Sequence, residues 1–292
     1  MTATPFRPSE RVSAYVRLAR LDRPIGILLL LWPTLWGLWL AADGFPPPYV
    51  LFAFVTGTVL MRSAGCVIND YADREFDGHV ERTRMRPLAT GEVTTKEALL
   101  LAGGLSVLAL LLILPLDRLV LWLSIPAIFL AASYPFTKRF FALPQAYLGI
   151  AFGFGIPMAF AAVHGSVPAV AWWMVLANVF WALAYDTEYA MVDRPDDLKI
   201  GIRSAAITFG RHDVAAVMTC YAIALALLAA IGLVHGLGYA WFAGLAVAGV
   251  IAGHHYVLIR GRDRQRCFKA FLHNNWFGAV VFVSLVLDRL LV

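Results

Sequence analysis

Charge is scarce in this 292-residue chain: Asp, Glu, Lys and Arg make up 15% of it, against 60% hydrophobic residues. A soluble domain carries about 25% charged residues, so with a mean hydropathy of +0.72 the main solvent here is lipid. Cys66, Cys220 and Cys267 are odd in number and lack paired spacing, which excludes a disulfide framework or zinc site and leaves three free thiols. Soluble-enzyme motifs are missing too. Gly153-Phe154-Gly155 lacks the third glycine and preceding strand of a dinucleotide fingerprint, and there is neither a Walker loop nor a serine in a nucleophile elbow. The apolar runs lack the period-2 alternation of barrel strands, so helices alone remain to satisfy the backbone in hydrocarbon. A net charge of +5 and a pI near 9.2 would point to nucleic acid only if the basic residues formed a patch. They instead fall in short separate loops, as orientation signals do.

At about 20 apolar residues per span, nine stretches qualify: Pro24 to Ala42, Tyr49 to Ile68, Ala98 to Leu116, Leu119 to Pro135, Leu143 to Val163, Pro168 to Tyr185, Val214 to Val234, Tyr239 to Ile259 and Phe271 to Leu290. The first run is too long for a signal-peptide core and lacks a cleavage site, so it is read as an uncleaved span. Connections at Gly44 to Pro48, Leu116 to Arg118, His164 to Pro168 and His235 to Gly238 are nearly free of basic residues, whereas the N-terminal segment, Arg74 to Lys96, Lys138-Arg139, Arg194 to Arg211 and Arg260 to Lys269 hold nearly all the Lys and Arg. The positive-inside rule then predicts a cytoplasmic N-terminus and an external C-terminus. The expectation is a single-domain, all-α bundle of about nine transmembrane helices, with a cytoplasmic cap formed by the loops after helices 2 and 6.

Acidic residues gather in those two loops. In Asn69-Asp70-Tyr71-Ala72-Asp73-Arg74-Glu75-Phe76-Asp77, a second helix extended beyond the membrane would put Asn69, Asp73 and Asp77 on one face, with Asp70 beside them. Like charges at these spacings repel, and hard oxygen donors without His or Cys suit Mg²⁺ shared with a phosphate. In the later run Tyr185 to Asp197, Asp186 and Asp193 lie two turns apart. Pro195 disfavours helix at Arg194, so Asp196 and Asp197 are expected to begin a new element. One such run alone is as readily a solvated loop; two on one side of the membrane make a site the better account.

Lys138 and Arg82 are read as diphosphate ligands. For Arg84, Arg86 and Arg139, orientation signalling is the simpler account, although Arg139 stays a candidate beside Lys138. Arg62 stands apart, because it interrupts a span, where ionisable residues mark functional sites by default. It precedes Asn69 by two helical turns, so it should lie about 10 Å deeper on the same face, where its guanidinium could pair with the carboxylate of an aromatic acid. His254-His255 shows no metal-ligand spacing and is read as packing or interfacial.

At these residues the sequence resembles the UbiA superfamily of intramembrane prenyltransferases. Asn69, Asp70, Asp73 and Asp77 match its first aspartate motif, and Asp186, Asp193 and Asp197 its second. Tyr134 to Arg139 and Arg20 to Gly26 are similar to further family stretches. Tyr185 to Arg194 is most similar to the branch that prenylates 4-hydroxybenzoate in ubiquinone biosynthesis. The resemblance implies Mg²⁺-dependent transfer of a polyprenyl group from its diphosphate to the ring carbon ortho to the acceptor's hydroxyl, in a bacterial-type inner membrane. It implies metal ligands at Asn69, Asp73, Asp77, Asp186, Asp193 and Asp197. Substrate contacts are implied at Asp70, Arg82, Tyr134, Arg139 and Arg62, and catalytic roles at Asp73, Asp77, Asp193, Lys138 and Arg62. The alternatives are a related enzyme acting on dihydroxynaphthoate or haem, and a secondary transporter, whose charges would gather near the midplane on broken helices.

Overall fold

A computed structural model describes residues 8–75, 77–79 and 83–291. Twelve α-helices are formed among them: α1 (Pro8–Leu18), α2 (Ile25–Ala42), α3 (Pro48–Asp73), α4 (Thr95–Ile113), α5 (Arg118–Thr137), α6 (Pro144–Gly153), α7 (Gly155–His164), α8 (Ala169–Ile200), α9 (Ala205–Phe209), α10 (Asp213–Val234), α11 (Tyr239–Ile259) and α12 (Arg264–Leu291). Counting α6 with α7 and α9 with α10, nine helical segments among the described residues are long and apolar enough to cross a bilayer. The chain is a multi-pass membrane protein.

The spans close into a ring. α2 packs on α3, α3 on α5, α5 on α6, α6 on α8, α8 on α10, α10 on α11, α11 on α12 and α12 back on α2. α4 and α5 flank α3 from either side with little contact between them. The wall α6–α8 is set by small residues, as is usual where lipid supplies no hydrophobic drive. A Cβ on Gly149 would lie 2.8 Å from Val179 Cα and one on Gly153 3.1 Å from Asn178 Nδ2, and Asn178 donates to the Gly149 carbonyl at 2.8 Å. Larger residues here would push away the helix that carries the second acidic run.

Four features differ from the sequence expectation. The fifth span is two helices broken at Phe154, because Pro157 has no N–H to return to the Gly153 carbonyl. α3 does run beyond the membrane surface but stops at Asp73, so Asp77 sits in a separate 3-10 turn, Asp77–His79, and not on the face of Asn69 and Asp73. Pro195 does not end α8, which continues to Ile200 and closes on Gly201 in the left-handed region, whose N–H bonds the Asp197 carbonyl. Its neighbours are tied on both sides, Arg194 to Asp213 at 3.1 Å and Asp196 to Arg264 at 2.9 Å; these tertiary ties hold the helix across the lost donor. The segment after helix 6 is thus mainly helical, not a loop cap. Finally α1, within what reads only as a basic leader, is a helix docked near the mouth of the ring, with Arg11 and Tyr15 paired to Glu97 and Arg17 to Glu92.

Candidate active site

The ring encloses a cavity of about 1640 Å³. At its mouth lie the ends of α3 and α8. Asn69, Asp70, Asp73 and Asp77 line it from one side, Asp186, Asp193 and Asp197 from the other, and Lys138, Tyr134 and Arg62 complete the wall. Arg139 is not among the lining residues; it donates to the Ala72 carbonyl at 2.9 Å, a cation closing the C-terminal end of α3. Arg82 lies outside the described residues.

The first run is dense with buried charge. Asp70, 1% exposed, receives both the Arg20 guanidinium and that of Arg86, each at 2.9 Å, and Arg86 also donates to Asp77 at 2.9 Å. Lys138 Nζ lies 2.9 Å from Asp73 and donates to Asn69 Oδ1 at 3.3 Å, while the Asn69 amide donates to Asp73 at 3.3 Å. Burial pushes the Asp77 carboxyl above its ordinary value; Arg86 opposes this, and the charges of Asp70 and Asp73 add to it. Crowded carboxylates that still repel despite two guanidinium groups and an ammonium define a place for more positive charge.

Mg²⁺ fits that donor set, which is all oxygen. Among the described residues no group of three His, Cys, Asp or Glu side chains could hold a metal ion by itself. This suits Mg²⁺, which keeps to one or two carboxylates and takes its other ligands from water and phosphate.

Deeper in the wall, Arg62 bonds Cys66 Sγ through Nη1 at 2.9 Å and lies 5.3 Å from the centre of the Phe152 ring. A Cβ on Gly26 would meet its guanidinium at 2.6 Å, so only glycine at 26 leaves room for that arginine. Its Nε is buried without a hydrogen-bond partner, an arrangement that costs free energy until a ligand accepts it. Tyr134 lies between the two centres, within electrostatic reach of Arg62, Asp73 and Asp186, and with its ring 5.6 Å from Lys138 Nζ. On the other flank the cavity runs between α4 and α5, past Val107, Leu110, Ile125 and Ile128, apolar side chains that are themselves exposed on the bundle's outer surface.

Residues 30–281 match the UbiA prenyltransferase family. The chain belongs to that family. A 4-hydroxybenzoate octaprenyltransferase of Aromatoleum aromaticum is 72% identical over 284 residues, 97% of each chain. Among solved structures, an apo UbiA homologue from Aeropyrum pernix superposes with a TM-score of 0.79 at 26% identity, over 90% of this chain and 97% of that one. A UbiA homologue from Archaeoglobus fulgidus bound to GPP and Mg²⁺ gives 0.71 at 19% identity, over 93% and 99%, a likeness of fold.

Within this UbiA fold the sequence reading passed over several wall residues. Arg86, assigned to orientation, bonds two site carboxylates. Arg20 and Gly26 stood in a recognised stretch without a role, and the signal available was a lone glycine two residues after an arginine-proline step. Tyr185, Tyr189, Arg203 and Arg264 also line the cavity, and nothing short of the tertiary arrangement marks them out.

Proposed function

We propose that the chain transfers a polyprenyl group from its diphosphate to the ring carbon ortho to the hydroxyl of 4-hydroxybenzoate, as a Mg²⁺-dependent enzyme of ubiquinone biosynthesis. The observation that carries this reading is one cavity with carboxylates and cations at its mouth, a buried unpartnered arginine nitrogen in its wall and an apolar exit to the bundle surface. Full-length identity of 72% to a protein named for that reaction supports it. A transporter is disfavoured, since the carboxylates gather at helix ends and not at mid-span.

Asn69, Asp73 and Asp77 on one side and Asp186, Asp193 and Asp197 on the other would hold Mg²⁺ together with the diphosphate. When bound, the metal offsets the negative charge that develops as the diphosphate leaves. Lys138 and Arg86, already at the mouth, add charge-assisted donors to the same oxygens. The faces of Tyr134, Tyr189 and Phe271, which line the cavity, stabilise positive charge on the allylic carbon. Arg62 fixes the acceptor's carboxylate below them, leaving the ortho carbon to form the new bond and then lose its proton. The prenyl tail leaves between α4 and α5 into the bilayer.

Purified protein given polyprenyl diphosphate, 4-hydroxybenzoate and Mg²⁺ should yield the prenylated acid by mass spectrometry; absence of that product with dihydroxynaphthoate consumed instead would reassign the acceptor. For orientation, the basic loops support a cytoplasmic mouth in an inner membrane. Gly78→Cys and Gly201→Cys should resist impermeant thiol reagents in intact cells while Gly165→Cys reacts, and the reverse pattern would invert the topology.

A further inference from the structure

The geometry points to Tyr185 as a second acceptor-binding residue, whose hydroxyl joins Arg62 Nε in seating the acceptor's carboxylate; this rests on the reading of the cavity as an aromatic-acid site. Tyr185 is fully buried on α8 and lines the cavity. Its hydroxyl has no hydrogen-bond partner, and Arg62 Nε, buried in the wall of the same cavity, has none either. The charge of Arg62 reaches that hydroxyl. Buried polar groups in a folded protein are nearly always paired, so two orphans facing one cavity call for a shared ligand. Both can donate, and a group able to take both bonds at once is one with acceptor oxygens and no proton to place, namely a carboxylate.

Packing alone does not account for the hydroxyl. The ring sits edge-on to Trp181 at 5.2 Å and tilted against Phe271 at 6.3 Å, contacts that phenylalanine would keep in full. A tyrosine used only as filler would bury its oxygen against a partner or be replaced by phenylalanine at no loss. On this account the oxygen is retained for the bound state, and it sharpens selection for acids over neutral analogues, because a site built to hydrogen-bond its ligand discriminates strongly against one that leaves the donors unmet.

The test is Tyr185→Phe, with equilibrium binding of 4-hydroxybenzoate and of 4-hydroxybenzamide to the purified protein, and steady-state kinetics for both substrates. Loss of one hydrogen bond to a charged group should weaken acid binding by roughly tenfold or more, leave the amide nearly unaffected, and raise the acceptor KM without changing that of the prenyl diphosphate. The ligand-free variant should melt no lower than the wild type, since the oxygen removed has no partner there. An unchanged ratio of acid to amide affinity, or a lowered melting temperature, would overturn the assignment. Arg62→Gln separates this from the broader reading: if it collapses the ratio while Tyr185→Phe does not, the acid site stands and Tyr185 is a packing residue; if neither variant moves it, the acid site itself falls.

Discussion

The two acidic runs face each other across one cavity but are held in different ways. The first leaves its helix at Asp73 and continues in a short turn, and its carboxylates are gripped by cations that themselves line the cavity: Arg20, Arg86 and Lys138. The second stays on a continuous helix through Pro195, and the ion pairs that brace it include flanking positions, Arg194 to Asp213 and Asp196 to Arg264. Rigidity on the α8 side therefore comes from the backbone and from clamps beside the ligands. On the α3 side it comes from the same charges that a diphosphate would recruit, so ligand binding there means exchange of partners.

The largest expected effect tests what the two runs share. Asp73→Asn and Asp193→Asn should each lower turnover by at least about a hundredfold, because an amide oxygen replaces neither the charge nor the second donor atom that Mg²⁺ needs, and excess EDTA should do the same to the wild type. Thermal melting of both variants should stay near that of the wild type. Full activity in either variant would show that one run suffices.

Next in size is Arg86→Gln, which attacks only the first run. It removes a guanidinium from Asp70 and Asp77, both buried, and leaving buried charge short of a partner should cost about 3 kcal/mol in a denaturation series. It should also raise the Asp77 carboxyl further, since Arg86 is the main influence lowering it. A raised carboxyl favours the protonated native state as pH falls, so Asp77 stabilises the fold on the acid side and loses that contribution as pH rises through its folded value. Protons and Mg²⁺ then compete for it. The Mg²⁺ concentration for half-maximal activity should climb on acidification while pH is still above the ordinary carboxylate value of 3.8, and the climb should begin at higher pH in Arg86→Gln. An unshifted Mg²⁺ profile would place Asp77 outside the metal site.

The α8 clamp should matter less. Arg264 and Asp196 are 40% and 14% exposed at their side chains, and such a pair contributes about 0.5 kcal/mol after solvent screening. Arg264→Ala should speed amide exchange over residues 196–200 without moving the global melting temperature by more than about two degrees. Global destabilisation as large as that of Arg86→Gln would erase the contrast between the two runs.

That contrast was only partly legible in the sequence. Hydropathy and loop charge gave nine spans and the continuation of the second helix beyond the membrane, since apolar length and helical periodicity are local properties. The depth of Arg62 follows from helix rise alone. Asp77 was put on the wrong element, and the proline at 195 was given a stop it does not make, because each outcome depends on partners distant in sequence, Arg86 for the one and Asp213 and Arg264 for the other. Arg86 shows the limit most sharply: a basic loop residue satisfies the orientation rule wherever it points, so only the fold could reveal its grip on Asp70 and Asp77.

The smallest effect concerns α1, which reaches the first run from outside. Its links differ in burial, for Arg17 and Glu92 are 40% and 26% exposed at their side chains whereas Asp70, the partner of Arg20, is 1% exposed. The hydrogen bond from Arg17 holds the Glu92 carboxyl below its ordinary 4.5. A depressed carboxyl stabilises the docked helix above its unfolded value and loses that contribution as pH falls through the folded one, so the Arg17 tie should be intact at neutral pH and fail only in acid below 4.5. Being exposed, it is also screened by salt. Arg17→Ala should therefore raise amide exchange in residues 8–18 only a few-fold at pH 7, by less at 0.5 M salt, and leave kcat unchanged. Arg20→Ala should free the same residues far more and lower activity with them, because it uncovers a buried carboxylate in the site wall. Equal effects from the two variants would mean that α1 is held by its surface pairs, and that the first acidic run does not depend on the helix packed at its door.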